Sequence, residues 1–246
     1  MAGFASRYPA VAHTFVAALD DDLTLDADAG HHLGRVRRVR AGELITAADG
    51  GGRWRPYEVA RVQRGAVALR ACDAPVDEPR LVPRLVVAFA LTKGAKPDLV
   101  VQKLTEIGVD GVTLLAARRS VPRWGDERAV AAVARLRRIA HEAAAQSRRA
   151  RVPEVDGLLP LTDLRGRPGL VVADPEGRDV AGVPPPAGGE WVLVVGPEGG
   201  FDPDEVEALE GTRLGLAPHL LRAETAAIAG AAVLVTRRTQ TAPGIA

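Results

Sequence analysis

Cysteine is almost missing from this chain. Cys72 stands alone among 246 residues, which excludes an intrachain disulfide and a cysteine-built metal site. No charged-then-apolar leader opens the chain, and no apolar run approaches membrane-spanning length. A soluble, reducing, cytoplasmic setting is therefore expected. The common nucleotide fingerprints are missing too. No Gly-x-Gly-x-x-Gly follows the first strand of the α/β region, and no glycine-rich loop ends in Lys-Ser or Lys-Thr. No His, Cys, Asp or Glu grouping has metal-ligand spacing, so no metal is expected. His141 and His219 are isolated and read as structural or solvated. No internal repeat is present. Net charge is only +1, so any polyanionic partner must be met by local clusters.

Such clusters exist. Arg35, Arg37, Arg38 and Arg40 crowd one segment, Arg118, Arg119 and Arg123 a second, and Arg135, Arg137, Arg138, Arg148, Arg149 and Arg151 a third. Each can be a solvated face in an arginine-rich chain. Three of them on a near-neutral chain favour a phosphate-bearing partner.

Apolar residues make up 47% of the chain, enough for a sizeable core in one large domain or two small ones. Residues 1–72 read as mostly β, with runs at Thr14–Leu19, Leu44–Ala48, Tyr57–Val62 and Ala66–Ala71. Asp49-Gly50-Gly51-Gly52 marks a hairpin turn and His31–Val39 a short helix. Small β-rich modules of this kind commonly form barrels. A Pro- and Asp-rich stretch, 73–83, reads as a linker. From residue 84 to the C-terminus, strands alternate with helices. Strands are expected at Leu85–Leu91, Val112–Ala116, Leu170–Ala173, Trp191–Val195 and Arg213–Leu216. Helices are expected at Pro97–Ile107, Asp126–Arg149, Pro203–Leu209 and Thr225–Arg237. Continuous apolar strands in this alternation predict a mostly parallel sheet covered on both faces. The last helix is apolar all round from Ala226 to Val235. Either its own domain wraps it or it meets a second subunit, and its small residues favour the second.

The segment Val192–Glu205 carries the sharpest signal. An apolar run ends in Gly196-Pro197-Glu198-Gly199-Gly200. Asp202 then fits an N-cap, Pro203 the first helical position and Glu205 a capping box. A strand thus delivers a backbone-exposing loop to a helix start, as in α/β ligand sites. A plain strand–helix turn fits the same residues.

Several segments, in this order and spacing, together resemble one family. They are His32-Leu33-Gly34-Arg35-Val36-Arg37-Arg38-Val39; Lys93-Gly94-Ala95-Lys96-Pro97-Asp98 with Gln102–Val109; Gln146–Val155; the Gly196–Gly200 loop; and Leu216–Ala226 with its Leu221-Arg222-Ala223-Glu224-Thr225 run. The chain resembles, over nearly its whole length, the RsmE family of 16S ribosomal RNA uracil-N3 methyltransferases in the SPOUT superfamily. The resemblance implies an α/β protein. A PUA-like, RNA-binding β-barrel would span residues 1–72. A SPOUT methyltransferase domain with a C-terminal trefoil knot would span 84–246. It also implies S-adenosylmethionine as cofactor, an obligate homodimer, and 16S rRNA or the small ribosomal subunit as substrate. Topology rules alone would not yield a knot.

In that frame three loops at strand ends would hold the cofactor. The first follows Ala173 and comprises Asp174-Pro175-Glu176-Gly177. The second runs from Val195 through Gly196, Glu198, Gly199 and Gly200. The third takes in Leu216, Ala217, Leu220 and Leu221, with Thr225 beyond it. Methylation of uracil N3 requires loss of its proton, and the charge spreads onto flanking carbonyls. Arg222 is the candidate stabiliser of that charge and Glu224 the candidate base or orienting carboxylate. The alternative is that Arg222 and Glu224 simply pair with each other, with Thr225 an N-cap. Arg35, Arg37, Arg38, Arg148, Arg149 and Arg151 are the expected RNA contacts. The chain departs from the family pattern at Ala217 and Arg148, where glycine is common, and at His219, where arginine is. Two other functions compete: a non-catalytic RNA-binding ribosome assembly factor, and a dinucleotide-dependent enzyme, which the missing fingerprint disfavours.

Overall fold

The computed structural model describes residues 9–25, 29–30, 33–34, 37–63, 66–92, 94, 96–120 and 126–241. The chain divides into two compact units. One comprises Met1–Arg80 with Ala144–Val152, the other Leu81–Ala143 with Pro153–Ile245.

The first unit is built on strands β1 (Ala12–Phe15), β2 (Asp22–Thr24), β3 (Leu44–Ala48), β4 (Arg53–Gln63), β5 (Ala66–Ala71) and β6 (Val76–Asp77). They form one sheet in the order β1-β3-β4-β5-β2, with β6 on β4. β1 pairs parallel to β3 and the remaining pairs are antiparallel. Ile45, Tyr57, Val59, Val67 and Leu69 alternate inward to form its core. The β3–β4 turn falls where Asp49 and its three glycines predict it. Asp49 Oδ1 accepts the amides of Gly51 (2.7 Å) and Arg53 (3.0 Å). Gly52, at φ +114°, leaves room for the Arg151 guanidinium, which lies where a Cβ would sit. Arg151 donates there to the carbonyls of Gly51 and Glu78. Residues 144–152 thus belong with this sheet, and Ala150 packs on Ala48 and Trp54. Strand β1 lies earlier than the expected Thr14–Leu19. Four residues of the expected His31–Val39 helix (31, 32, 35 and 36) fall outside the described residues; Leu33 and Gly34 are helical, whereas Arg37–Val39 are not.

The second unit carries β7 (Arg84–Ala90), α1 (Lys96–Ile107), β8 (Gly111–Ala116), α2 (Asp126–Gln146), β9 (Glu154–Pro160), β10 (Leu170–Arg178), β11 (Glu190–Val195), α3 (Pro203–Leu209), β12 (Thr212–Leu214) and α4 (Ala223–Thr241). Its six strands are all parallel, in the order β12-β10-β11-β7-β8-β9. Central strands β7, β8 and β11 are buried along almost their whole length, as a sheet covered on both faces requires. On one face Val86, Ala88, Val192 and Val194 pack with Leu161, Leu164 and Leu209. On the other, α4 lies against β7, β11 and α1. Gly230 makes that approach possible, because a Cβ there would fall 2.8 Å from Leu193 Cδ2.

Several element bounds differ from expectation for physical reasons. Helix α2 stops at Gln146, not Arg149, because Arg148 takes a left-handed backbone, φ +57°. Strand β10 runs on to Arg178, so the supposed Asp174–Gly177 loop is largely strand. It is held by Gly177 and Gly215, whose backbones approach so closely that a Cβ on Gly177 would lie 2.4 Å from Gly215 N. β9 was not expected. It is an edge strand with a broken burial pattern and a glycine inside. Helix α4 begins at Ala223, so Thr225 sits within its first turn and is not the N-cap. Ala227, Ala231 and Leu234 are fully buried in their own chain, so one face of this apolar helix is covered by its own unit. Among the described residues no helix is long and apolar enough to cross a membrane, and no group of three or more potential metal ligands occurs.

Candidate functional site

Strands β11 and β12 end beside β10 near Ala173, and a cavity of about 500 Å³ opens at their carboxyl ends. This is where open parallel sheets bind ligands, and the volume suits a cofactor-sized molecule. Its floor is apolar, from Val172, Val195 and Leu214. Three segments wall it. Ala173 and Asp174 stand on the first, inside β10, and Gly196, Glu198 and Gly200 on the second, the loop after β11. Leu216, Ala217, Leu220 and Leu221 stand on the third, with His219 and Arg222. Leu220 is 84% exposed at the rim.

The second loop is braced from outside. The expected capping box is present: Glu205 Oε2 accepts the Asp202 amide at 2.9 Å, and Pro203 opens α3. Glu205 Oε1 accepts the Arg118 amide at 3.0 Å. Arg119 pairs with Asp202 at 2.6 Å and donates to the Gly199 carbonyl at 3.0 Å. The Arg118–Arg119 cluster, a candidate for phosphate, is thus engaged in holding this loop. Gly199 faces Arg119 and does not line the cavity. Gly200 does line it, with φ +69°, a conformation that strongly favours glycine.

The structure brings most of the expected cofactor residues together; Gly199 and Thr225 lie off the wall. Arg222 and Glu224 are not paired with each other. Arg222 is exposed on the wall, and its guanidinium makes no hydrogen bond or ion pair among the described residues. Glu224 is mostly buried and faces Lys96, with Nζ 3.3 Å from Oε2. The same ammonium donates to Glu198 Oε1 at 2.8 Å. The hydrogen bond to Glu198, helped by the nearby Glu224 carboxylate, holds the Lys96 ammonium above its usual pKa. Sequence reasoning gave Lys96 no role. The signal was present, since it lies in the Lys93–Asp98 motif, but a lysine's partners are not visible in a linear pattern.

The basic residues separate into two kinds. Arg37 and Arg38 are exposed, and Arg38 has a left-handed backbone, φ +55°. The Arg148 guanidinium also makes no hydrogen bond or ion pair among the described residues. Arg149 has partners of its own, and Arg151 is held by the two carbonyls beside Gly52. Arg135 pairs with Asp98, and Arg137 donates to the Val155 carbonyl. Arg35 lies outside the described residues. Nearby, His13 is buried on β1 with Nδ1 2.8 Å from Thr46 Oγ1. Burial, with a smaller contribution from the Arg148 charge, depresses its pKa to about 4.

Residues 79–235 match the model of an RNA methyltransferase domain, and residues 25–72 that of an RNA methyltransferase PUA domain. The chain is 35% identical over 228 residues to the ribosomal RNA small subunit methyltransferase E of Mycobacterium tuberculosis, covering 87% of each chain. It is 31% identical over 211 residues to the Bacillus subtilis protein of the same name, covering 80% of this chain and 82% of that one. A Legionella pneumophila structure solved in complex with the bound cofactor SAM superposes with a TM-score of 0.77 at 27% identity, covering 92% and 97%.

Proposed function

The chain belongs to the ribosomal RNA small subunit methyltransferase E family, and from that membership we propose that it methylates N3 of a specific uridine in 16S rRNA, using S-adenosylmethionine. The observation that carries this reading is the cavity at the strand ends, with Arg222 on its wall making no hydrogen bond or ion pair through its guanidinium among the described residues.

The cavity's chemistry fits the cofactor. Apolar walls suit the adenosine, and the positive φ of Gly200 exposes backbone to the ligand. Val195, Gly196, Glu198 and Gly200 would hold it from one side, Ala173 from a second, and Leu216, Ala217, Leu220 and Leu221 from a third. Bound S-adenosylmethionine supplies a methyl group activated on a sulfonium. The protein's part is to orient the uracil in line with that methyl and exclude water, which accounts for much of the acceleration in such displacements. Arg222, whose guanidinium has no partner among the described residues, stabilises the negative charge that develops on the uracil carbonyl oxygens as N3 loses its proton. Lys96 cannot serve so freely, because two carboxylates already compensate it.

The first unit is read as the PUA-like β-barrel that engages rRNA, with Arg37, Arg38, Arg148 and Arg149 toward phosphates. Residues 73–83 are read as the linker, and 84–246 as a SPOUT domain with a C-terminal trefoil knot. A homodimer is part of the same reading. Ile228, Ala232 and Val235 on α4 keep partial exposure, an apolar stripe a second copy would cover. The setting is read as cytoplasmic. Incubating the protein and S-adenosylmethionine with small ribosomal subunits from a strain lacking it, followed by mass mapping of the 16S rRNA, tests the proposal. One added methyl on a single uridine is expected. RNA binding without methyl transfer would point instead to a non-catalytic assembly factor.

A further inference from the structure

Lys96 joins a loop and a helix start that the chain brings to it from 102 and 128 positions away. It stands at the start of α1, Glu198 on the second cavity wall, and Glu224 in the first turn of α4. Glu224 itself does not line the cavity, whereas Glu198 and Arg222, two residues before Glu224, do. Among the described residues Lys96 is the cation paired with Glu224. A partly exposed ion pair adds little to stability, so what this contact fixes is position. We propose that Lys96 is a positioning residue of the methyl-transfer site, an ammonium strut linking the Gly196–Gly200 loop to the start of α4. In this arrangement Glu224 anchors the strut and does not accept the uracil proton. An ion-paired carboxylate held away from the cavity wall is poorly placed to reach N3, which a base must approach within hydrogen-bond distance. This inference rests on the methyltransferase reading for its consequence in rate, but the linkage itself can be measured without turnover.

The Gly200 amide provides the probe, since it closes the loop by donating to the Pro197 carbonyl at 2.9 Å. Amide hydrogen exchange at Gly200 and calorimetry with S-adenosylmethionine are measured for the parent, Lys96→Met, Glu224→Gln, the double variant and Lys96→Arg. Lys96→Met and Glu224→Gln should each speed Gly200 exchange and weaken cofactor binding by about two- to fivefold, the worth of one partly exposed pair. The double variant should do no more than either single one, because the two residues act through one contact. Lys96→Arg should stay close to the parent. In single-turnover methylation both single variants should lose more in rate than in cofactor affinity, since misplacement taxes the transition state. Glu224→Gln should also keep the parent's pH profile. Unchanged Gly200 exchange in Glu224→Gln, or losses that multiply in the double variant, would overturn the proposal. So would a Glu224→Gln rate that recovers selectively at alkaline pH, which would make Glu224 the base. If the variants show the expected exchange response while the parent neither binds S-adenosylmethionine nor methylates rRNA, the methyltransferase reading is refuted and the strut stands.

Discussion

Replacing Arg148 by glycine should make the protein more stable and worse at binding RNA. Helices α1 and α2 end in the same way. After α1, the Val109 amide donates to Leu104 and the Gly108 amide to Thr105. After α2, the Arg149 amide donates to Ala144 at 2.9 Å and the Arg148 amide to Ala145 at 3.2 Å. Both are the paired bonds of a Schellman ending, whose pivotal residue is left-handed. Helix α1 places Gly108 there at φ +105°, while α2 places Arg148 at φ +57°. A left-handed backbone costs a side-chain-bearing residue about 1–2 kcal/mol. Glycine returns about 0.4–1 kcal/mol of that through its greater freedom in the unfolded chain. The net gain for Arg148→Gly is about 0.5–1 kcal/mol, or about 1–4 °C in Tm for a chain of this size. If the guanidinium meets a phosphate, the same change removes one charge contact, and the dependence of log binding on log salt should flatten by about 0.7–0.9. Calorimetric melting and salt-dependent binding to a 16S rRNA fragment read the two effects separately. A raised Tm with unaltered affinity and salt slope would refute the phosphate role. A lowered Tm would refute the strain argument.

Gly200→Val should weaken S-adenosylmethionine at least tenfold by calorimetry while Gly199→Ala, whose Cβ meets Arg119 at an ordinary 3.7 Å, should not; equal losses would misplace the cavity. Arg222→Ala should slow single-turnover methylation on the order of a hundredfold with little change in cofactor affinity, and near-normal turnover would remove Arg222 from the chemistry. His13, depressed in the folded protein to about 4 from 6.5, binds fewer protons than in the unfolded chain. Its stabilisation is therefore complete above pH 6.5 and lost as pH falls toward 4, about 3 kcal/mol in all. Denaturant melts of His13→Gln should show a flatter pH dependence across that window, and an unchanged slope would count against the assignment. On α4, Ala231→Asp should unfold the protein because Ala231 is fully buried, whereas Ala232→Asp should leave it folded but monomeric by light scattering. A folded Ala232→Asp dimer would argue against α4 as the interface.

Much of the second unit was legible because its signals are local. The bounds of α3 follow from Asp202, Pro203 and Glu205, whose capping geometry involves neighbours three residues apart. The parallel sheet follows from continuous apolar runs such as Trp191–Val195, buried on both faces. Edge strand β9 escaped notice because half of its side chains meet solvent and no period marks it. The end of α2 was misjudged because helix periodicity continues through Arg148, and only the backbone geometry reveals the turn. In the site, the Gly196–Gly200 and Leu216–Leu221 walls were legible as loops after strands, whereas the Asp174 wall is strand and the facing of single residues was not legible. Gly199 and Gly200 are adjacent in sequence and look in different directions.

Residue spacing within a few positions dictates most of the strands and helices, the meeting of the glycine-rich loop with a helix start, and which side chains could carry charge chemistry. Which charges are already used is settled by the fold. It engages Arg119 with Asp202, covers Gly52 with Arg151, leaves the Arg222 guanidinium without a partner among the described residues and sets Lys96 between Glu198 and Glu224. Such pairings join residues scores of positions apart, and their strength depends on separations of a few ångströms and on burial. Neither quantity is written in the order of the residues.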